Sequence, residues 1–238
     1  YVDDYRHDLL NNDIFRVTKP YDYIIHCAVK TKAGGYSQTS PGDQFLINQR
    51  INTTILEYWR RVQPQAKFIT FGSSAAYDES LPRIESNYLV GSPENDYFAY
   101  GYIKRMLLVG LQSLSKQYGM KYLYYIPTTI YGMNHDPNDM HFIHDLIRKI
   151  RYAKTHDTDS VTLWGDGFQR RDVLYINDAC RIIVENLHRE NEVINLSPGK
   201  SYTIREYAKF ICDILNYDFS LIKFDTDAFS GVKERMLE

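Results

Sequence analysis

Residues 97–127, YFAYGYIKRMLLVGLQSLSKQYGMKYLYYIP, contain the pattern that decides the fold. The first part, 97–118, has apolar side chains at helical spacing, and Gly119 follows it, which predicts a long helix that ends at this glycine. The apolar positions of that helix are Met106, Leu107, Val109, Leu111 and Leu114. Residues 122–126 form a short apolar run stopped by Pro127, which predicts a buried strand.

The same alternation of strand and helix extends toward the start of the chain. The run YDYIIHCAV at 21–29 predicts a buried strand, the helical spacing over 48–62 predicts a helix, and 67–71 predicts another strand. Consecutive parallel strands need a crossover connection, and helices supply it here. The sequence therefore predicts an α/β fold with a doubly wound parallel sheet.

Beyond Gly132 the predicted elements become shorter and form a second, smaller α/β part. The expected helices cover 141–152 and 177–187, and a further helix is capped by Thr203. The expected strands are 161–164, 173–175, 193–195 and 221–224.

Composition excludes several classes of protein. The 238 residues carry a net charge of −2 without a basic block, so we expect neither nucleic acid nor a membrane as partner. No apolar run approaches the roughly 20 residues of a membrane span, and no segment has the pattern of a signal peptide, so we expect a cytoplasmic protein. Cys27, Cys180 and Cys212 are scattered in apolar runs, which predicts buried free thiols and no metal site.

Tyr100 and Lys104 are the strongest candidates for chemistry. They lie four residues apart in the predicted helix, so both side chains share one face. A phenol has a pKa of about 10, and a nearby cation lowers that pKa because it favours the phenolate. Ser73 lies in a Gly-Ser-Ser sequence at the end of the strand 67–71 and can hold the same substrate oxygen. The three residues predict proton transfer at a sugar hydroxyl or carbonyl group.

A dinucleotide-binding sheet begins with a glycine-rich turn between strand and helix, and this sequence contains no such motif. Other segments nevertheless resemble the extended short-chain dehydrogenase/reductase family, and within it the GDP-L-fucose synthase type. The matching segments are IIHCAV (24–29), KAGG (32–35), FGSSAAY (71–77), YGYIK (100–104), PTTIYG (127–132), VTLWGDGFQRRDVLYINDA (161–179) and TIREYA (203–208).

This resemblance implies how the chain is organised. Residues 1–131 and 171–199 would form a Rossmann-type part that binds NADP, with NAD as the alternative. Residues 132–170 and 200–238 would bind the substrate. The family's glycine-loop strands would precede Tyr1 and more chain would follow the last residue, so the sequence is expected to be a fragment of a longer enzyme.

The resemblance also implies roles for single residues. Tyr100 would be the acid that protonates the C4 oxygen, Lys104 would hold the nicotinamide ribose, Ser73 would bind the reacting oxygen, and His141 would be an acid/base residue. The further residues implied are Asp8, Asn48 and Pro127 at the cofactor and Lys149, Trp164 and Arg171 at the substrate. Asn48 is equally interpreted as a structural asparagine, and Lys149 as part of a charged helix face. For Trp164 we favour the alternative that it is a core residue.

Ala75 departs from the family pattern, in which a cysteine at this position moves a proton during C3/C5 epimerisation. A methyl group transfers no proton, so this epimerisation is doubtful here.

The expected function is NADPH-dependent reduction of the C4 keto group of a GDP-4-keto sugar. The alternatives are an NAD-dependent nucleotide-sugar C4 epimerase and a catalytically inactive relative that binds sugar nucleotides. The family further implies a homodimer through the helices of Asn48 and Tyr100, and Trp59 and Leu107 could serve that surface.

Overall fold

The computed structural model describes residues 8–11, 13–16, 18–32, 35–133, 141–228 and 233–238. The chain folds into two compact units. Unit 1 comprises Tyr1–Pro127 and Glu185–Asn195, and unit 2 comprises Thr128–Val184 and Leu196–Glu238. These bounds differ from the sequence-based boundaries, and the assignment of cofactor and substrate to separate parts stays a prediction.

The predicted strands and helices occur in the predicted order, together with further short elements that the sequence did not predict. The first are β1 (Tyr23–His26), α1 (Tyr36–Thr39), α2 (Pro41–Val62), β2 (Lys67–Phe71), α3 (Phe98–Tyr118), β3 (Tyr122–Pro127), β4 (Thr129–Tyr131) and α4 (Phe142–His156). The others are β5 (Val161–Trp164), β6 (Arg170–Arg171), β7 (Val173–Tyr175), α5 (Ile176–Glu185), β8 (Glu192–Leu196), β9 (Tyr202–Thr203), α6 (Ile204–Leu215), β10 (Ile222–Asp225) and β11 (Glu234–Arg235).

The central sheet has the strand order β1-β2-β3-β8. β1 pairs with β2 and β2 pairs with β3, both in parallel, and α2 and α3 provide the connections between these strands. β3 is an uninterrupted apolar strand, and Tyr122–Ile126 are all buried. Parallel strands covered on both faces have this composition, so the predicted α/β fold with a Rossmann-like parallel sheet is confirmed.

Helices α2 and α3 pack closely together. A Cβ atom at Gly110 of α3 would come within 2.6 Å of Leu56 Cδ1 in α2, so the glycine permits the close approach. Trp59 and Leu107, expected at a dimer surface, are only 0% and 2% exposed, and that expectation is wrong. Trp59 packs on Phe68 of the sheet and donates its indole N–H to Ala66 O.

Unit 2 has its own apolar core. Helices α4 and α6 pack together, and the parallel pair β5–β10 lies beside them. The buried core residues include Ile143, Leu146, Ile150, Leu163 and Ile211. The predicted cap at Thr203 is confirmed, since its hydroxyl accepts from Glu206 N while the Glu206 carboxylate accepts from Thr203 N.

The expected burial of all three cysteines is wrong for two of them. Cys212 on α6 is buried, whereas Cys27 and Cys180 are exposed. Cys27 follows the last residue of β1, and Cys180 lies one residue after the buried Ala179, on the outward side of α5. An apolar run predicts burial of a segment but does not fix which of its side chains face inward.

The burial of His26, at the end of β1, should make the protein less stable in acid. It is 6% exposed, and burial together with the nearby Lys104 charge lowers its pKa from 6.5 to about 4. The unfolded chain therefore binds this proton more readily, so the stabilising contribution is complete above pH 6.5 and is lost as the pH falls toward 4. Urea denaturation gives the free energy of unfolding. We expect this free energy to fall, on acidification to pH 4.5, by about 2 kcal/mol less in His26→Gln than in wild type. The exposed His188→Gln variant is the control, and equal acid destabilisation in all three proteins would contradict the prediction.

Candidate active site

Tyr100 and Lys104 lie on one face of the first turns of α3. The Lys104 Nζ atom is 5.6 Å from the centre of the Tyr100 ring. Tyr100 is half-buried and Lys104 is 8% exposed. The helical spacing seen in the sequence thus brings the two side chains together as expected.

Lys104 also connects α3 to the end of β2. Its ammonium donates a hydrogen bond to Phe71 O over 2.8 Å. Burial disfavours the charged form and lowers the pKa of Lys104 from 10.5 to about 8. The ammonium is therefore held at the carboxyl end of the sheet, close to the residues that follow β2.

Ser73 is two residues beyond Phe71, at the start of a short 3-10 turn that spans Ser74–Ala76. Its Oγ atom accepts a hydrogen bond from Ala75 N over 3.2 Å, which fixes the side chain as the cap of that turn. Arg105 on α3 donates to Ala76 O over 2.8 Å and holds the same turn from the helix side. Ser73, Tyr100 and Lys104 consequently lie on adjoining segments of unit 1.

The protonation of Tyr100 differs from the sequence-based expectation. Burial, and secondarily the neighbouring Tyr88, raises the pKa of Tyr100 above its usual value, whereas Lys104 was expected to lower it. The cause is that the phenolate would lose much of its hydration among the packed side chains around it. A phenol that keeps its proton at neutral pH can act as an acid.

Tyr88 and Tyr124 are neighbours of the site that the sequence did not single out. Both are fully buried, and their hydroxyl oxygens are 3.1 Å apart. The Tyr88 hydroxyl accepts from Ser73 N over 3.2 Å, and the Tyr124 hydroxyl donates to Lys104 O over 2.8 Å. Since the chain contains 21 tyrosines, only their tertiary contacts distinguish these two.

The expected cofactor residues in unit 1 have different settings. Asp8 is exposed, and its carboxylate accepts from Leu10 N and from the Asn11 side chain. Asn48 is 1% exposed, and its amide bonds to both backbone groups of Lys30. Asn48 therefore holds the loop after β1 against α2, which favours the structural interpretation of this residue. Pro127 ends β3 and is half-buried.

Ala75 is 4% exposed, in the 3-10 turn that Ser73 caps. Its methyl group lies where the family resemblance expects a thiol. The side chain offers neither a donor nor an acceptor, so this position contributes no acid/base group.

The remaining candidates lie in unit 2. Trp164 is 65% exposed, so the favoured interpretation as a core residue is wrong. Along β5, Val161 and Leu163 point inward, and the alternation of the strand turns Trp164 outward. The Lys149 Nζ atom lies 5.7 Å from the centre of the Trp164 ring and also pairs with Asp145 at 2.9 Å.

His141 and Arg171 have different settings in the same unit. His141 is the exposed N-cap residue of α4. Arg171 is half-buried in β6, and its guanidinium donates to Arg170 O over 2.7 Å. The described residues contain no cluster of His, Cys, Asp or Glu side chains that could hold a metal ion. In the same part of the chain, no helix is both long and apolar enough to cross a bilayer.

Comparison with known proteins agrees with the parallel sheet. Residues 4–197 match the NAD dependent epimerase/dehydratase family. The chain belongs to this family. A GDP-L-fucose synthase from Sinorhizobium fredii is 31% identical over 229 residues, which cover 92% of this chain and 71% of that protein.

Two further proteins show the extent of the similarity. A putative GDP-L-fucose synthase 2 from Oryza sativa is 27% identical over 222 residues, which cover 91% of this chain and 64% of that protein. The solved structure of a GDP-mannoheptose C4 reductase from Campylobacter jejuni, with NADP bound, superposes with a TM-score of 0.81 at 20% identity, over 97% of this chain and 79% of the other. The latter likeness concerns the fold alone.

Proposed function

We propose that the protein reduces the C4 keto group of a GDP-4-keto sugar with NADPH. The observation that carries the proposal is the placement of the Tyr100 phenol beside the Lys104 ammonium, whose Nζ atom lies 5.6 Å from the centre of the ring. The similarity to GDP-L-fucose synthases over most of the chain supports a GDP-sugar as the substrate.

In this mechanism the residues of unit 1 control one proton. Ser73 donates a hydrogen bond to the C4 oxygen and orients it toward Tyr100. Tyr100 then donates its phenolic proton to that oxygen, and the adjacent Lys104 ammonium stabilises the phenolate that remains. Bound NADPH supplies the hydride that C4 receives. Lys104 and Tyr100 fit this cofactor, because a buried ammonium can bind ribose hydroxyls and the Tyr100 hydroxyl has no hydrogen-bond partner among the described residues.

We assign substrate binding to residues of unit 2. The exposed Trp164 ring offers a surface for stacking on a base or a sugar ring, and the Lys149 ammonium beside it carries the opposite charge to a diphosphate. Arg171 is assigned to the diphosphate, because a guanidinium binds phosphate oxygens through two parallel hydrogen bonds. His141 is assigned to positioning the sugar, and Asp8 and Pro127 remain proposed cofactor contacts. Asn48 is assigned to holding the loop after β1.

The test is incubation of the full-length protein with GDP-4-keto sugars and NADPH in D₂O. We expect stoichiometric NADPH oxidation and a product reduced at C4, without deuterium at C3 or C5, because Ala75 supplies no proton. Mass spectrometry and NMR of the product measure both results. A C4 epimerase would interconvert C4 isomers without net NADPH consumption, an inactive relative would give no turnover, and deuterium at C3 or C5 would contradict the role given to Ala75.

We also propose a homodimer through α2 and α3. The two helices expose large apolar side chains, namely Leu46, Phe98, Met106 and Val109. An apolar face of this kind favours association. We expect Met106→Glu to lower the mass measured by sedimentation velocity from dimer to monomer. Met133→Glu, at an 87% exposed position in unit 2, is the control, and an unchanged mass for Met106→Glu would contradict the proposal.

A further inference from the structure

A chain of hydrogen bonds connects the backbone of Ser73 to the backbone of Lys104. It begins at Ser73 N–H, which donates to the Tyr88 hydroxyl over 3.2 Å. The Tyr88 and Tyr124 hydroxyl oxygens are 3.1 Å apart, and Tyr124 donates to Lys104 O over 2.8 Å. Both phenol rings are fully buried, so water does not compete for these bonds.

Only one arrangement of hydrogens satisfies this chain. A phenol carries a single hydrogen, and Tyr124 uses it on the Lys104 carbonyl group. The Tyr124 oxygen must therefore accept from Tyr88, and the Tyr88 oxygen accepts in turn from Ser73 N–H. Burial raises the pKa of Tyr88 to about 12 and the pKa of Tyr124 well above its usual value, so both phenols stay protonated at neutral pH.

The two rings also lie close to the backbone of Gly72, directly before Ser73. A Cβ atom built at Gly72 would lie 2.6 Å from the Tyr88 hydroxyl and 2.7 Å from Tyr124 Cε1. The two rings therefore rest directly on the main chain at the end of β2. A shift of either ring would move Ser73 relative to α3.

We propose that Tyr88 and Tyr124 are positioning residues that set the place of Ser73 relative to Tyr100 and Lys104. The inference rests on the proposed function, in which Ser73 and Tyr100 must reach the same substrate oxygen. Neither phenol touches the substrate in this scheme. Each acts by fixing the backbone that carries the Ser73 hydroxyl.

The kinetic test compares Tyr88→Phe and Tyr124→Phe with Tyr125→Phe in the full-length protein. Tyr125 is the matched control, because it is also fully buried in β3 and its hydroxyl has no hydrogen-bond partner among the described residues. We expect kcat to fall about 10- to 100-fold in the first two variants, with KM changed less than about twofold. Tyr125→Phe should keep the wild-type kcat, and an equal loss in all three variants would overturn the proposal.

A double-mutant cycle separates positioning from a general loss of packing. If Tyr88 acts through Ser73, Tyr88→Phe should change kcat less than about twofold once Ser73→Ala is present. If the double variant loses kcat by the product of the factors lost in Tyr88→Phe and in Ser73→Ala, the proposal is overturned. Tyr124→Phe serves in the same cycle if Tyr88→Phe does not fold.

Hydrogen exchange tests the chain without any turnover. We expect the Ser73 amide, followed by NMR, to exchange at least about tenfold faster in Tyr88→Phe than in wild type, and to be unchanged in Tyr125→Phe. An unchanged Ser73 exchange rate in Tyr88→Phe would overturn the proposal. If no GDP-4-keto sugar is reduced, the proposed function fails, and the exchange experiment still decides whether the hydroxyl chain holds Ser73.

Discussion

Replacing Tyr100 with phenylalanine should lower kcat for the C4 reduction by about 10³-fold. The substitution removes one oxygen and its proton from a site where the phenol is the expected acid. Since that proton moves only in the transition state, kcat and kcat/KM should fall together, and the Kd for NADPH should change little. Steady-state kinetics of the full-length variant, together with a cofactor titration, measure these quantities.

Tyr118→Phe is the matched control for this substitution. Tyr118 is the last residue of the same helix and is 50% exposed, so loss of its hydroxyl should leave turnover unchanged. Thermal unfolding should be similar in both variants, because the Tyr100 hydroxyl has no hydrogen-bond partner among the described residues. A Tyr100→Phe variant that retains more than a tenth of the wild-type kcat would disprove the acid role.

Replacing Gly72 with alanine should lower the free energy of unfolding by about 3 kcal/mol. The added Cβ atom would lie 2.6 Å from the Tyr88 hydroxyl and 2.7 Å from Tyr124 Cε1, well inside contact distance. Both rings are fully buried and hydrogen-bonded to each other, so neither can swing into solvent. The backbone at the end of β2 must therefore shift, and Ser73 shifts with it. Urea unfolding of the variant and wild type gives the difference.

Gly42→Ala in α2 is the control for the Gly72 substitution. No atom lies within 4 Å of the Cβ position at Gly42, and alanine is a better helix former than glycine by up to about 1 kcal/mol. Its stability should equal or exceed that of wild type. A loss below about 1 kcal/mol in Gly72→Ala would show that the two tyrosines yield more easily than their packing implies.

The order of strands and helices along the chain could be predicted because each signal is local. The apolar runs at 67–71 and 122–126 and the helical spacing between them depend on neighbouring residues only. Tyr100 and Lys104 belong to this class, since a spacing of four residues in a helix is sufficient to bring them together.

The side of an element that faces inward was harder to predict. Trp59 is buried and Trp164 is exposed, and for both the sequence suggested the opposite. Met106 and Val109 lie beside Leu107 and Leu108 on a helix that is apolar on most sides, so periodicity does not decide which side packs on the sheet. The buried side is determined by contacts with segments that are distant in sequence.

The contacts that complete the candidate site come from such distant segments. Tyr88 lies 15 residues from Ser73, in a stretch without helical or strand periodicity. Its proposed role depends on the hydrogen bond between its hydroxyl and the Ser73 amide, and no local sequence pattern predicts that bond. The lowered pKa of Lys104 likewise follows from burial, which the sequence does not report.

The packed phenol rings near Ser73 also contribute to the optical signal of the protein. Tyr77 and Tyr88 meet edge to face with ring centres 5.0 Å apart, and Tyr88 and Tyr124 follow at 5.7 Å. Rings held rigidly at such distances produce near-ultraviolet circular dichroism, which vanishes when side-chain packing loosens even if the helices persist. Loosening of the candidate site therefore lowers part of this signal, which can be measured without a substrate and before any helix has melted.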